Sequence, residues 1–598
     1  MCIMMMILLF ASCGNDTQAE TVTANDYFTT SDLHIGYDEA DETNITLNGD
    51  SIQVDGDGAK VSGTTVTLTQ DLTYIITGTL DDGQIIVDAS SSDKLHIVLN
   101  GVDITCSDNP AIYIKQADKV FITLAEDTQN TLSDGSSYAT DSDETNLDAA
   151  IYSKDDLTLN GNGTLTVNGN YAHAIVSKDD LVIGSGTYII TSVNTALYGK
   201  DCVKINEGTF TITAGTDGIK SDNDEDETLG YVVICGGTFT ITAGKDGIQA
   251  TTDILIGGGT FDITTGGGSS DASTTSSGTQ NSQWGTNWGT GQNQNQTSSS
   301  SSDTASAKGL KAGVDLTIEG AVLTIDSSDD GVHSNGNVYL TDVSLTIASG
   351  DDGIHADSLV QVNGTSTIEI SKSYEGIEEL SIEINGGDIS VTASDDGFNA
   401  AGGNDSSSLN GRLGMNSFSS DSDCVITIND GYVFINASGD GIDSNGSVEI
   451  NGGVTLVSGP TDSSNGALDY NSTAEITGGI FIAAGSSGMM QNFEQADQGA
   501  LLCFSTSTIS GGTSVIIVDK DGNVVASFTP PKNYQCVLFS APAISSGQTY
   551  TIYTGATVSG ADENGYAVST SFSGGTKLAS VTLSKNIMSY GSSGNSFH

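Results

Sequence analysis

Across most of the chain a small residue followed by an apolar one returns at a nearly constant interval. The pairs are Ala111-Ile112, Ala150-Ile151, Ala174-Ile175, Ala196-Leu197, Gly218-Ile219, Gly247-Ile248, Gly309-Leu310, Gly331-Val332, Gly353-Ile354, Gly376-Ile377, Gly397-Phe398, Gly441-Ile442, Gly466-Ala467 and Gly488-Met489. Most intervals are 21 to 25 residues, and the wider ones of 39, 29, 62 and 44 each hold an insertion, at 126–146, 222–227, 266–307 and 402–420. Each unit reads as an alternating strand, a Gly/Asn turn and a second strand, as in Val448-Glu449-Ile450-Asn451-Gly452-Gly453-Val454-Thr455-Leu456. So short a unit cannot bury its own apolar face, and stacking on its neighbours must supply the core, as in β-solenoids. Parallel, in-register stacking at about 4.8 Å per coil makes fourteen coils a rod of about 65 Å. Asn and Gly suit the sharp corners, and stacked Asn side chains can hydrogen-bond from coil to coil.

The ends depart from the period. Residues 44–496 are expected to form the solenoid, interrupted by the low-complexity stretch 266–307, and residues 497–598 a small C-terminal β domain or cap. Strands such as Ser514-Val515-Ile516-Ile517-Val518 mark that cap, and Asp519-Lys520-Asp521-Gly522-Asn523 reads as a hairpin turn. Residues 1–12 carry an apolar run too short to span a bilayer and suited to a lipoprotein-type signal peptide. The run closes on Ala11-Ser12-Cys13-Gly14, which resembles a bacterial lipobox with Cys13 as the lipidated residue, although Phe10 stands where Leu is usual and a positive leader is missing. Residues 13–43 then read as a polar tether, and the expected location is the bacterial cell surface, with the membrane reached through the lipid anchor alone. Of the remaining cysteines, Cys503 and Cys536 are close enough in sequence to pair, and the other four are expected to be buried thiols.

Stacking turns every repeat position into a ladder, so function is sought in ladders. Before the mark the column reads Asp217, Asp246, Lys308, Asp330, Asp352, Glu375, Asp396, Asp440, Asn465; after it, Lys220, Gln249, Lys311, His333, His355, Glu378, Asn399, Asp443, with Asp222 and Asp357 two positions on. Carboxylates stacked about 5 Å apart repel unless a cation lies among them. Calcium, which takes six to eight oxygens in flexible geometry, is the expected occupant; a bland alternative is that the aspartates cap turns and keep an exposed face soluble. The metal candidates are Asp217, Asp222, Asp224, Asp246, Asp330, Asp352, Asp357, Asp396, Asp440 and Asp443, with the acidic loop 222–227 the strongest single stretch. A formal charge of −58, from 18 Lys+Arg against 76 Asp+Glu, argues against nucleic acid as a partner. Lys220, Lys311, His333, His355 and Tyr198 are candidate ligand contacts. Tyr113, Tyr152 and Tyr198 share a column that could offer aromatic platforms, as could Trp284 and Trp288 within the insertion.

Thr79-Leu80-Asp81-Asp82-Gly83-Gln84-Ile85, Leu99-Asn100-Gly101-Val102-Asp103-Ile104, Asp217-Gly218-Ile219-Lys220-Ser221-Asp222 and Gly236-Gly237-Thr238-Phe239 with Asp246-Gly247-Ile248 together resemble a bacterial carbohydrate-binding domain family. The resemblance, over roughly 44–488, implies an all-β, right-handed parallel β-helix containing calcium, related in fold to pectate lyases, that binds acidic pectic glycans and cellulose. It implies a cell-surface protein gripping polygalacturonate through calcium. The rival readings are a calcium-dependent polysaccharide lyase and a surface adhesin. For the lyase, Lys220 is the weak candidate base; between Asp217 and Asp222 it reads more simply as a counter-ion.

Overall fold

The computed structural model describes residues 27–36, 42–138, 147–270, 306–401 and 423–591. Cys13, the leader, Trp284 and Trp288 lie outside them. Within them the chain is a parallel β-helix with three strands per coil. One coil runs Ile219–Ser221, Tyr231–Ile234, Thr238–Ala243, and the next begins at Ile248–Ala250. The short strands carrying the repeat mark form one face, pairing Leu197 with Ile219, Ile219 with Ile248 and Ile248 with Leu310. The other two strands of each coil form the second and third faces, joined near the start by the 13-residue strand Lys94–Cys106.

Alternation explains the packing. In Thr238–Ala243 every second residue is buried, and Phe239 stacks between Phe210 and Phe261 at 4.6 Å on either side, nearly parallel. The mark glycines have a different reason to exist. A Cβ on Gly331 would stand 2.6 Å from the Gly353 carbonyl oxygen and 2.5 Å from Ile347 Cγ2, and the same crowding recurs at Gly218, Gly247, Gly309, Gly353, Gly376, Gly397 and Gly441. Close approach of successive backbones therefore demands glycine there, while the corner glycines, such as Gly453 at φ +67°, are required by left-handed backbone. The expected asparagine ladder is present: Asn385 donates to Asn363, Asn429 to Asn385 and Asn451 to Asn429, at 3.0, 2.8 and 2.9 Å.

Both ends are closed. At the start, Glu42–Gly49 pairs antiparallel with Ile52–Asp55, and Ala59–Ser62 with Thr65–Leu68, so hairpins cover the first coils. At the other end Tyr534–Ala541 lies antiparallel on the last third-face strand, Ile480–Gly485, and Leu456, Ile482 and Ala484 of the helix share one core with Leu501, Phe539 and Ile552. A four-stranded antiparallel sheet including Val515–Val518 and Val524–Phe528 completes the cap, with residues 519–523 as its hairpin turn.

Four details differ from the sequence reading. The register sets Asp443 beside Asp469, so the late mark is Ala467-Leu468 and not Gly466-Ala467; Gly466, rather than Asn465, accepts from the Gly441 amide. Residues 27–36 of the expected tether are docked: Asp32, 3 % exposed, takes Lys119 Nζ at 2.7 Å and the Thr158 hydroxyl at 2.8 Å. Cys503 and Cys536 are both free, because Cys503 faces Val537 and Cys536 faces Phe504 across the antiparallel pair. Finally, the column after the mark is only partly solvent-facing: Lys220, Lys311 and Glu378 are half-buried, while His333 and His355 are wholly buried.

Candidate metal-binding ladder

The ladder is built by the glycine spine. Each mark glycine donates its amide to the carbonyl of the residue before the next mark, Gly331 to Asp352 at 2.9 Å and Gly353 to Glu375 at 3.0 Å, so the preceding side chains stack in register along one corner. The column after the mark stacks beside them: Lys311 on His333, His333 on His355, His355 on Glu378, Glu378 on Asn399, Asn399 on Asp443. Three zones with different charge balance follow along this corner.

In the first zone lysines neutralise the acids. Lys220 Nζ lies 3.7 Å from Asp217 and 3.6 Å from Asp222; Lys200 reaches Asp222 at 3.7 Å, and Lys311 reaches Asp246 at 3.9 Å. Asp222 also accepts the Tyr198 hydroxyl at 2.7 Å, and Asp246 accepts from the Ser306 hydroxyl and the Lys308 amide at 2.8 and 2.9 Å. Burial and the neighbouring Asp246 raise the pKa of Asp217 against the pull of Lys220. Beyond Asp222 the acidic loop is not drawn into this zone: Asn223 caps its turn by accepting from the amides of Glu225 and Asp226, and Asp224 is exposed. Tyr113 and Tyr152 are no platform, because each is only 4 % exposed and Lys154 and Lys178 sit over their rings; Tyr198 is half-buried.

The middle zone is a buried charge network. Lys308, wholly buried, bonds Asp329 at 3.2 Å and also Asp330, which in turn holds His333 Nδ1 at 2.9 Å. Burial works against charge on Asp330, yet Lys308 and the two histidines hold its carboxyl far below the ordinary range. One coil on, His355 stacks on His333 at 4.8 Å, with Asp352, Asp357 and Glu378 around its ring. Burial drives Asp352 well above the ordinary carboxylate range, with Glu378 and Asp351 adding to it and His355 opposing.

The last zone is all oxygen. Asp396, Asp440 and Asp443 bring carboxylate oxygens within 4.8 Å of one another, with no lysine or histidine ion-paired to them among the described residues. Burial first, then neighbouring carboxylates, pushes Asp396 to about 7 (with Asp395), Asp440 to about 8 (with Asp396 and Asp443) and Asp443 to about 6 (with Asp469). Asn399, beside Asp443 in the ladder, donates its amide nitrogen to Glu375 at 2.7 Å and leaves its buried oxygen without a partner. Three carboxylates and an orphaned amide oxygen are a hard-oxygen donor set of the kind calcium takes.

A further group, Asp156, Asp179 and Asp180, lies on another corner, where burial and Asp156 raise Asp179 to about 7 and Lys204 pairs with Asp180 at 2.7 Å. None of these three stands among the metal candidates drawn from the sequence. Asn399, Glu375 and Glu378 are likewise missing from those candidates. Only the ladder register, with Asn399 between Glu378 and Asp443, could have pointed to them.

Residues 62–353 match the family of carbohydrate-binding domain-containing proteins. A carbohydrate-binding domain-containing protein of Acetivibrio thermocellus is 40% identical over 148 residues, which is 24% of this chain and 52% of that protein, so the match spans about half the length of the curated relative. A solved structure titled as the polysaccharide lyase-like protein from C. thermocellum, a gadolinium derivative, is 38% identical, with a TM-score of 0.36, over 38% of this chain and 92% of that one.

Proposed function

We propose that the chain, whose residues 62–353 match the family of carbohydrate-binding domain-containing proteins, is a surface-anchored protein that grips acidic polysaccharide, of the polygalacturonate class, through calcium. The carrying observation is the cluster of half-buried carboxylates Asp396, Asp440 and Asp443, without a protein cation among the described residues, beside the ladder neighbour Asn399 with its buried, unpartnered amide oxygen. A chain with a formal charge of −58 repels a polyuronate. Calcium removes the conflict, since its flexible coordination accepts oxygens from protein and sugar together. Asp396, Asp440, Asp443 and Asn399 would hold the ion in the later coils, and the ion would neutralise carboxylates that otherwise keep their protons near neutral pH.

The lysine-paired zone around Asp217, Asp222 and Asp246 has a separate role. There Lys220 serves as counter-ion to two carboxylates, which argues against its use as a lyase base. Retention on immobilised polygalacturonate, with calcium and after exhaustive chelation, tests the proposal. Retention that needs calcium, without growth of ultraviolet absorbance from unsaturated product, is the expected result. Retention indifferent to chelation refutes calcium bridging, and a rise in absorbance makes the chain a lyase.

A further inference from the structure

His333 and His355 occupy the same ladder position one coil apart, and their surroundings invite direct comparison. His333 is fully satisfied, with Nδ1 2.9 Å from Asp330 and Nε2 3.0 Å from Asn335. His355 is not. Its Nδ1 lies 3.3 Å from Asp352 Oδ2 and 3.2 Å from Glu378 Oε2, on two different coils, and its Nε2 stands 3.5 Å from Asp357 Oδ1. Both His355 Nε2 and Asp357 Oδ1 are buried atoms without a hydrogen-bond partner, and His355 itself has no exposed surface.

A protonated imidazole facing three carboxylates should draw them to about 2.7–2.9 Å, the length of charge-assisted bonds. One N–H also cannot serve Asp352 and Glu378 equally. The distances fit another arrangement. Ligand atoms about 2.0–2.2 Å from a shared zinc-like ion in a tetrahedron stand about 3.3–3.6 Å from each other, close to the 3.3 and 3.2 Å that separate Nδ1 from the two carboxylate oxygens. Asp352, His355 and Glu378 indeed bring their donor atoms within 4.8 Å of one another. With Nδ1 on a metal the ring's proton resides on Nε2, facing Asp357, the outer carboxylate that ligating histidines commonly have.

We propose that Asp352, His355 and Glu378 form a binding site for a divalent transition ion of the zinc class, oriented by Asp357, that staples two successive coils together. The site is distinct from the calcium cluster in its nitrogen donor and its place in the stack. Imidazole suits zinc, cobalt, nickel or copper, whereas calcium takes oxygen alone. Glu378, with about a fifth of its side chain exposed, is the side of entry.

The test is titration of the chelator-stripped full-length chain with Co(II) in the presence of excess calcium, followed by visible absorption. One calcium-resistant equivalent with ligand-field bands is expected. It should be lost, or weakened by at least the roughly 10- to 100-fold that loss of a mere supporting partner costs, in His355→Gln. Should His355→Gln unfold, Glu378→Gln at the rim provides the same test, with folding checked by circular dichroism. Asp396→Asn should leave the cobalt signal unchanged. A native chain that takes up no such equivalent, or folded variants that retain it, overturns the proposal.

Discussion

At the scale of single residues the ladder separates satisfied charges from orphaned ones. Glu379 is the plainest orphan. It occupies the position filled by Ala356 on one side and Ala400 on the other, is wholly buried, and neither carboxyl oxygen has a hydrogen-bond partner. Burial lifts it well above the ordinary carboxylate range, and neither His355 nor the Val360 amide offsets that. A carboxyl with a raised folded-state pKa binds its proton more tightly in the folded chain, so its penalty grows as pH climbs from its unfolded pKa toward the folded one. Glu379→Met should therefore stabilise the protein by about 1–3 kcal/mol, the cost of an unsatisfied buried group, and by more at pH 8 than at pH 5. Thermal melting at the two pH values checks this; an equal or reversed gain contradicts it. Asp32 is the opposite case, a buried acid with partners, held below its ordinary value by Lys119 and Thr29 against the effect of burial. Asp32→Ala should release residues 27–36 from the flank, seen as faster hydrogen exchange at the Asp32 and His34 amides while the coils keep their protection.

At the scale of the element, the spine glycines show why pattern and reason must be separated. The recurring Gly-apolar mark was plain in the sequence, but sequence alone assigns glycine to backbone conformation as readily as to space. Here space decides, and Gly331→Ala should cost about 1–3 kcal/mol as overpacking, whereas Gly101→Ala, where nothing lies within 4 Å of a Cβ but φ is +77°, is penalised through the backbone alone. Denaturant unfolding of the two variants measures both. The acid cluster at the same corner gives a pH prediction. With Asp396, Asp440 and Asp443 raised to about 7, 8 and 6, the metal-free protein loses stability as pH rises from about 4 to 8, because each must ionise in a buried site. Calcium binding must displace the same protons, so affinity should rise between pH 6 and 8 with proton release. Calorimetry in buffers of differing ionisation enthalpy detects it, and a pH-independent affinity would contradict the assignment.

At the scale of the whole molecule, the period made the solenoid legible, down to the stacking partners of Lys220, His333 and His355. The cap was also legible, from the loss of period after the last coil. Burial was not. A column outside the apolar core carries no sequence sign of its burial, yet contacts between stacked coils bury His333, Lys308 and Asp330. Which acids lack cations was equally hidden, since it depends on side chains from different coils, such as Lys308 on Asp330 and Lys311 on Asp246. The acidic loop 222–227 looked richest in charge, and its outer residues are solvated. The cap's shared core with Leu456 and Ile482 makes the rod one cooperative unit at that end, so removal of residues 499–591 should expose the last coil and cause aggregation, seen by light scattering. The central claim is that buried, cation-poor acids take calcium and so bind acidic glycan. The direct measurement is calorimetric titration of the calcium-loaded chain with polygalacturonate, beside Asp396→Asn/Asp440→Asn/Asp443→Asn. The account predicts heat of binding for the native chain, abolished by the triple substitution with the fold intact; equal binding by both would contradict it.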